Sequence, residues 1–140
     1  MCKATEVAVP KGNGTMVLLT DVSELGGGGS ILQLQGDELR FLGHWGWKWS
    51  GARTRYPSFE KELMAGVLLM ASQKALLQTA VEVVWITEAS SVKDVVHEDQ
   101  QQNHKKRQRW WFSLQQFPLL VEYCPGAQHE FVDLLSRTYF

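Results

Sequence analysis

The chain reads as an α/β domain with a five-stranded mixed sheet, three antiparallel strands then two more, and helices on its faces. Three observations predict it. Short β-rich runs crowd the first third, a long run of helical period follows, and β-rich and amphipathic runs then alternate to the end. With 140 residues, 44% of them hydrophobic and including six Trp and six Phe, the chain can bury one compact core but not two ordinary domains. Charged residues at 21% and a net charge of -1 argue against disorder and name no partner. Cys2 and Cys124 are too few for a disulfide framework and lack metal-ligand spacing, so an intracellular, reduced setting is the default. The longest apolar stretch, in "ELMAGVLLMA", is far short of a membrane span, and residues 1–14 have no signal-peptide core.

Taken in order, "TMVLLTD" (15–21) is a short β-rich run and "SILQLQ" (30–35) alternates. "ELRFLGHWGW" (38–47) follows the turn signal Gly36-Asp37. The glycine run Gly26–Ser30 between the first two resembles an engineered flexible linker. Neither side could bury a core alone, so it reads as a strand-to-strand connection where glycine permits positive φ or lets another backbone or a large ligand approach. "PSFEKELMAGVLLMASQKALLQ" (57–78) opens with Pro57 and Ser58 as a helix start. Phe59, Leu63, Gly66, Val67, Met70 and Leu77 recur near 3.6 spacing. "VEVVWIT" (81–87) is a buried-type strand, "SSVKDVV" a short helix and "KKRQRWWFSLQQF" (105–117) an amphipathic helix. "LLVEYC" (119–124) is a strand and "AQHEFVDLLSR" (127–137) a last helix. The polar run at 97–103 reads as a loop.

Three motifs in this order carry a resemblance that covers nearly the whole chain. "LLTDVSELGGGGSILQ" is similar to T-D-A-S-x-x-G-x-G-A-V-L-x-Q, and "RYPSFEKELMAGVLLM" to Y-S-x-x-E-x-E-L-L-A-I-V. "RWWFSLQQFPLLVEYCPGAQHEFVDLLSR" is similar to R-W-x-x-x-L-x-x-F-x-x-x-V-x-Y-x-P-G-x-x-N-x-x-A-D-x-L-S-R. Together they resemble the ribonuclease H domain in the Pol polyproteins of gypsy-type LTR retrotransposons. The resemblance implies a ribonuclease H-like fold over 15–140, preceded by a connecting segment over 1–14. "VAVPKGNGTMVLL" is similar to the connection that precedes this domain in the polyproteins, which makes the glycine run native.

The activity the resemblance implies is hydrolysis of the RNA strand of RNA/DNA hybrids during reverse transcription, with two Mg²⁺ held by four carboxylates and Mn²⁺ as a substitute. Carboxylates suit Mg²⁺, a hard ion that prefers octahedral oxygen ligands at about 2.0–2.1 Å. Asp21 matches the first ligand, at the end of the first strand, and Glu62 the second, on the long helix. Glu60 is its rival. Residues i and i+2 on a helix diverge by about 200°, so only one faces the site, and the Leu63-Met64-Ala65 context favours Glu62. Asp133 matches the last carboxylate. The third position departs from the pattern, because Glu88 in "WITEASSV" stands where the family has Asp. Its extra methylene implies either a detuned metal ligand or a copy that has lost catalysis. Asp94, six residues on, is not promoted. His129, four residues before Asp133, fits proton transfer or product release, or else a polar residue at a helix start.

Lys105, Lys106, Arg107 and Arg109 suit hybrid phosphates, with a solvated helix face as the ordinary reading. Trp110 and Trp111 would divide between core and substrate groove, Trp110 being the substrate candidate. "HWGWKWSGARTR" (44–55) suits stacking on sugars or bases, and equally a twisted strand end closing the core. The partners implied are the hybrid and the polymerase domain of the same polyprotein, in an intracellular retroelement particle and without a membrane. The alternative is a catalytically weak or inactive module of the same fold, serving as a connection, dimerisation or nucleic-acid-binding scaffold.

Overall fold

The computed structural model describes residues 8–97 and 105–124, and for 94–97, 105–108 and 111 only the course of the backbone. Strands β1 (Thr15–Val22), β2 (Gly26–Gln35) and β3 (Glu38–Lys48) form an antiparallel meander. β4 (Glu82–Thr87) lies parallel to β1 on its other side, and β5 (Leu119–Tyr123) is parallel to β4. The sheet order is therefore β3-β2-β1-β4-β5, with β1 at its centre. A 3-10 turn (Gly51–Arg55), helix α1 (Ser58–Ser72) and a short helix α2 (Lys74–Leu77) carry the chain from β3 across to β4. Helices α3 (Ser90–His97) and α4 (Lys105–Leu114) join β4 to β5. The expected last helix at 127–137 and most of the polar run at 97–103 lie outside the described residues.

The central strand is buried on both faces, which is why "MVLL" runs apolar without alternation. Met16 and Leu18 join the larger core with Ile31, Leu63, Leu69, Met70 and Trp85. Val17 and Leu19 join Leu32 on the opposite face, with Leu39 and Ile86 packed beside them. Before β1, the chain is tied to the sheet by buried Gln33. Its Oε1 accepts from the Lys11 N–H at 2.8 Å and its Nε2 donates to the Lys11 carbonyl at 2.9 Å.

Two elements differ from the sequence reading. Gly26–Ser30 is not a connection but the first half of β2; the turn is Ser23–Leu25, closed by the Ser23 N–H on the Gly26 carbonyl at 2.8 Å. Positive φ plays no part there, being confined among the described glycines to Gly12, Gly36 and Gly51. Close approach is the reason: a Cβ on Gly29 would lie 2.6 Å from Leu69 Cδ2 of α1, and one on Gly28 would lie 3.0 Å from His44 Nε2. The helix expected to span 57–78 breaks at Gln73. Ser72 Oγ donates to the Leu69 carbonyl at 3.0 Å, a local bond that competes with the helical ladder.

Helix α1 is also held close to the sheet at Gly66. Any side chain on Gly66 would run into the Trp85 ring, so glycine is required for the helix to pack closely against that ring. Trp85 is fully buried, and its indole N–H donates to Thr20 Oγ1 on β1 at 3.0 Å. This contact sets α1 against the ends of β1 and β4, where the acidic residues stand.

Candidate functional site

β1 and β4 run parallel, with Leu19 opposite Ile86, so Asp21 and Glu88 emerge at the same end of the sheet. Asp21 is exposed near the end of β1, one residue after buried Thr20. Glu88 is exposed just beyond β4. The backbone beside it is fixed by buried Thr87. Its Oγ1 accepts from the Ala89 N–H at 3.1 Å, and its carbonyl accepts from the Cys124 N–H at 2.9 Å.

Glu62 approaches from α1 and is half-buried. Burial first, and then the charges of Glu88 and Asp21, together push its carboxyl up from the ordinary 4.5 to about 7. Three elements thus bring Asp21, Glu62 and Glu88 into one field of mutual repulsion. Glu60 is 4% exposed and points into the protein, as the divergence of i and i+2 requires.

A neighbour that the sequence reading passed over helps to place Glu62. Lys61 is buried, and its ammonium donates to the Glu24 carbonyl in the β1–β2 turn at 3.4 Å. Trp49 secures the same turn, with its indole N–H on the Ser23 carbonyl at 3.0 Å and its backbone N–H on the Leu25 carbonyl at 3.0 Å. The start of α1 and the turn that follows Asp21 are therefore coupled. The only sequence signal for this was a lysine between two glutamates at a helix start.

Acids that repel at close quarters offer hard oxygen donors, and a divalent cation would relieve the repulsion. The donor set fits Mg²⁺ in kind. Among the described residues, however, no group of three or more His, Cys, Asp or Glu side chains is already assembled to hold a metal ion. The fourth acid of the sequence reading, Asp133, lies outside the described residues, as does His129.

The basic residues divide. Arg109 is exposed on α4, whereas Lys105, Lys106 and Arg107 are placed on the first turn of that helix by backbone alone. Trp110 requires a correction. It is 7% exposed, packs in the main core and meets the Tyr56 ring at 6.1 Å between centroids, so it is a core side chain and not a substrate contact. Its placement follows from the apolar stripe of an amphipathic helix, which turns Trp110 and Leu114 inward together. Beside Asp21 lies a cavity of about 330 Å³, also lined by Gly26, Gly28, His44, Trp47 and Lys48. Part of the aromatic and basic stretch at 44–55 thus borders the cavity beside Asp21, while Trp49 closes the core. Among the described residues no helix is long and apolar enough to cross a membrane.

Known proteins agree with this architecture. The chain is 26% identical over 124 residues to the Transposon Tf2-3 polyprotein of Schizosaccharomyces pombe, an alignment that takes in 87% of this chain and 9% of the polyprotein. The chain therefore spans about a tenth of the length of the curated relatives it matches. Among solved structures, it is similar to the PFV RNase H domain, with a TM-score of 0.57 and 15% identity over 92% of each chain. It is also similar to the foamy viral protease-reverse transcriptase in complex with RNA/DNA hybrid, with a TM-score of 0.58 and 14% identity over 87% of this chain and 18% of the other. At such identities the structural likeness shows the fold, which is that of ribonuclease H domains. Residues 12–117, more than half of the chain, match the model of the RNase H-like domain found in reverse transcriptase, and the chain belongs to that family.

Proposed function

We propose that this domain hydrolyses the RNA strand of RNA/DNA hybrids with divalent metal ions, as the ribonuclease H part of a gypsy-type retroelement polyprotein that also carries the polymerase. The observation that supports it best is the half-buried Glu62, whose carboxyl is held near 7 by burial and by Glu88 and Asp21 at the shared end of β1 and β4. Structural domains seldom keep unneutralised acids together, because the arrangement costs stability unless a cation is bound.

In this reading Asp21, Glu62 and Glu88, with Asp133, would hold Mg²⁺. The bound ions would supply an activated water and charge stabilisation for the leaving 3′ oxygen. The protein's own part is placement. The turn locked by Lys61 and Trp49 orients the β1 end, and the Trp85–Thr20 hydrogen bond keeps α1, and so Glu62, at a constant height over the sheet. Exposed Arg109 would meet a phosphate of the bound hybrid, together with Lys105, Lys106 and Arg107, and His129 would assist proton transfer.

A second reading, a nucleic-acid-binding or connecting module of the same fold with little or no catalysis, draws on Glu88. It carries one methylene more than the family's Asp and stands exposed, and no metal-holding group of three acids is assembled among the described residues. One experiment separates the two: incubation with a labelled RNA/DNA hybrid in Mg²⁺ and in Mn²⁺, beside single-stranded and duplex RNA. Metal-dependent cutting of the hybrid alone is expected. Binding without cutting in either metal would establish the scaffold.

A further inference from the structure

The sheet carries an unusual row beside Asp21. Paired residues on neighbouring strands project to the same face, and Asp21 pairs with Gly28, which pairs with Gly46. Two of the three positions in that row therefore have no side chain, and a shallow trough crosses β2 and β3. Its flanks are the adjacent rows of the same face, Ser30 with His44 on one side and Gly26 with Lys48 on the other. His44, Gly46 and Lys48 are all exposed.

The His44 ring is anchored, since Nδ1 lies 2.9 Å from Ser30 Oγ. When the serine hydroxyl donates to Nδ1, the ring proton is on Nε2, and Nε2 becomes a donor over Gly28. The glycine makes this position available, because a Cβ there would lie 3.0 Å from that nitrogen. Lys48 adds a mobile positive charge. A donor and a cation beside a floor without side chains select an anion carried on a thin chain.

We propose that this trough seats one phosphodiester linkage of a bound nucleic-acid strand, with His44 Nε2 and the Lys48 ammonium as its contacts and Ser30 as the residue that positions His44. The inference rests on the nucleic-acid reading above. Strands in a sheet lie about 4.8 Å apart, so β1 and β3 are separated by roughly 10 Å, and one phosphate cannot touch both Asp21 and His44. The linkage in the trough is therefore a neighbour of the one that faces the acids. The Asp21 carboxylate repels an uncompensated phosphate and keeps it on the β3 side. His44 and Lys48 thereby set which linkage is presented to the acids.

The test measures binding of a fluorescent RNA/DNA hybrid to the full chain in EDTA, so that cleavage plays no part. His44→Ala should weaken binding about fivefold, the loss of one net hydrogen bond, and Ser30→Ala by about twofold to threefold. Lys48→Ala should reduce the salt slope by about one phosphate contact. Gly28→Ala, which fills the floor, should reproduce the His44→Ala loss, with circular dichroism confirming that each variant is folded. A single methylphosphonate linkage walked along each strand of the hybrid should weaken binding by the parent at one register and have no effect there on the His44→Ala/Lys48→Ala double variant. If the parent binds the hybrid but these variants match its affinity and salt slope, or if the methylphosphonate effect persists in the double variant, the trough assignment is overturned while the nucleic-acid reading stands. If the parent binds no hybrid at any salt concentration, both are overturned.

Discussion

Replacing Glu62 by Gln tests the acidic site without requiring activity. The Glu62 carboxyl moves from 4.5 to about 7 on folding, a difference of 7 − 4.5, or about 2.5 pH units. At about 1.4 kcal/mol per unit this would be roughly 3 kcal/mol in a fully shielded site. Glu62 is only half-buried, and solvent screening reduces the expected figure to about 1–2 kcal/mol. The sign follows from the direction of the shift. A folded-state value above the unfolded one means that the native state holds the proton more tightly. The stabilisation is therefore complete below about pH 4.5 and is lost as pH rises through about 7. Gln carries no charge at any pH and escapes that loss. In EDTA at pH 8, Glu62→Gln should be more stable than the parent by about 1–2 kcal/mol, or roughly 0.5–1 M in the urea midpoint. At pH 4.5 the difference should shrink toward zero. Adding Mg²⁺ at pH 8 should stabilise the parent and leave the Gln variant much less affected. A stability difference that does not change with pH, or a Gln variant less stable than the parent at pH 8, would refute the coupling of Glu62 to its acidic neighbours.

The remaining predictions follow from single contacts. Asp21→Asn should abolish metal-dependent cleavage of the hybrid while urea unfolding shows an intact domain; cleavage at the parent rate would remove Asp21 from the site. Glu88→Asp should raise the Mg²⁺-dependent rate about tenfold, or about 1.4 kcal/mol of barrier, if the extra methylene merely displaces the carboxylate. A single-turnover rate at or below that of the parent would dismiss this explanation. Thr20→Val leaves the buried Trp85 indole N–H without its acceptor and should cost about 1–3 kcal/mol in urea unfolding. Gly66→Ala gains about 1 kcal/mol of helix propensity but drives a methyl group into the Trp85 ring. A net loss of about 1–3 kcal/mol is expected, and a stabilised variant would show that α1 can lift off the sheet freely.

The sequence by itself determined the order of elements as far as β5, the five-strand count and the family, because these depend on local periodicity and on motifs spaced along the chain. The double-sided burial of β1 was visible in "MVLL", and the long helix in its 3.6-residue repeat. Only the tertiary structure decided what depends on contacts between distant segments. Glycine signals a loop and a close approach equally well. It took Leu69 of α1 and His44 of β3, lying over the sheet, to show that Gly28 and Gly29 belong inside a strand. Trp110 read as a substrate contact because a basic, aromatic helix suits nucleic acid. Its burial against Tyr56 depends on how α4 is rotated against α1, and helix periodicity identifies an apolar stripe without naming what covers it. The repulsion among Asp21, Glu62 and Glu88 arises in the same way, from three carboxylates far apart in sequence that share one end of the sheet because β1 and β4 run parallel and Gly66 lets α1 settle onto Trp85.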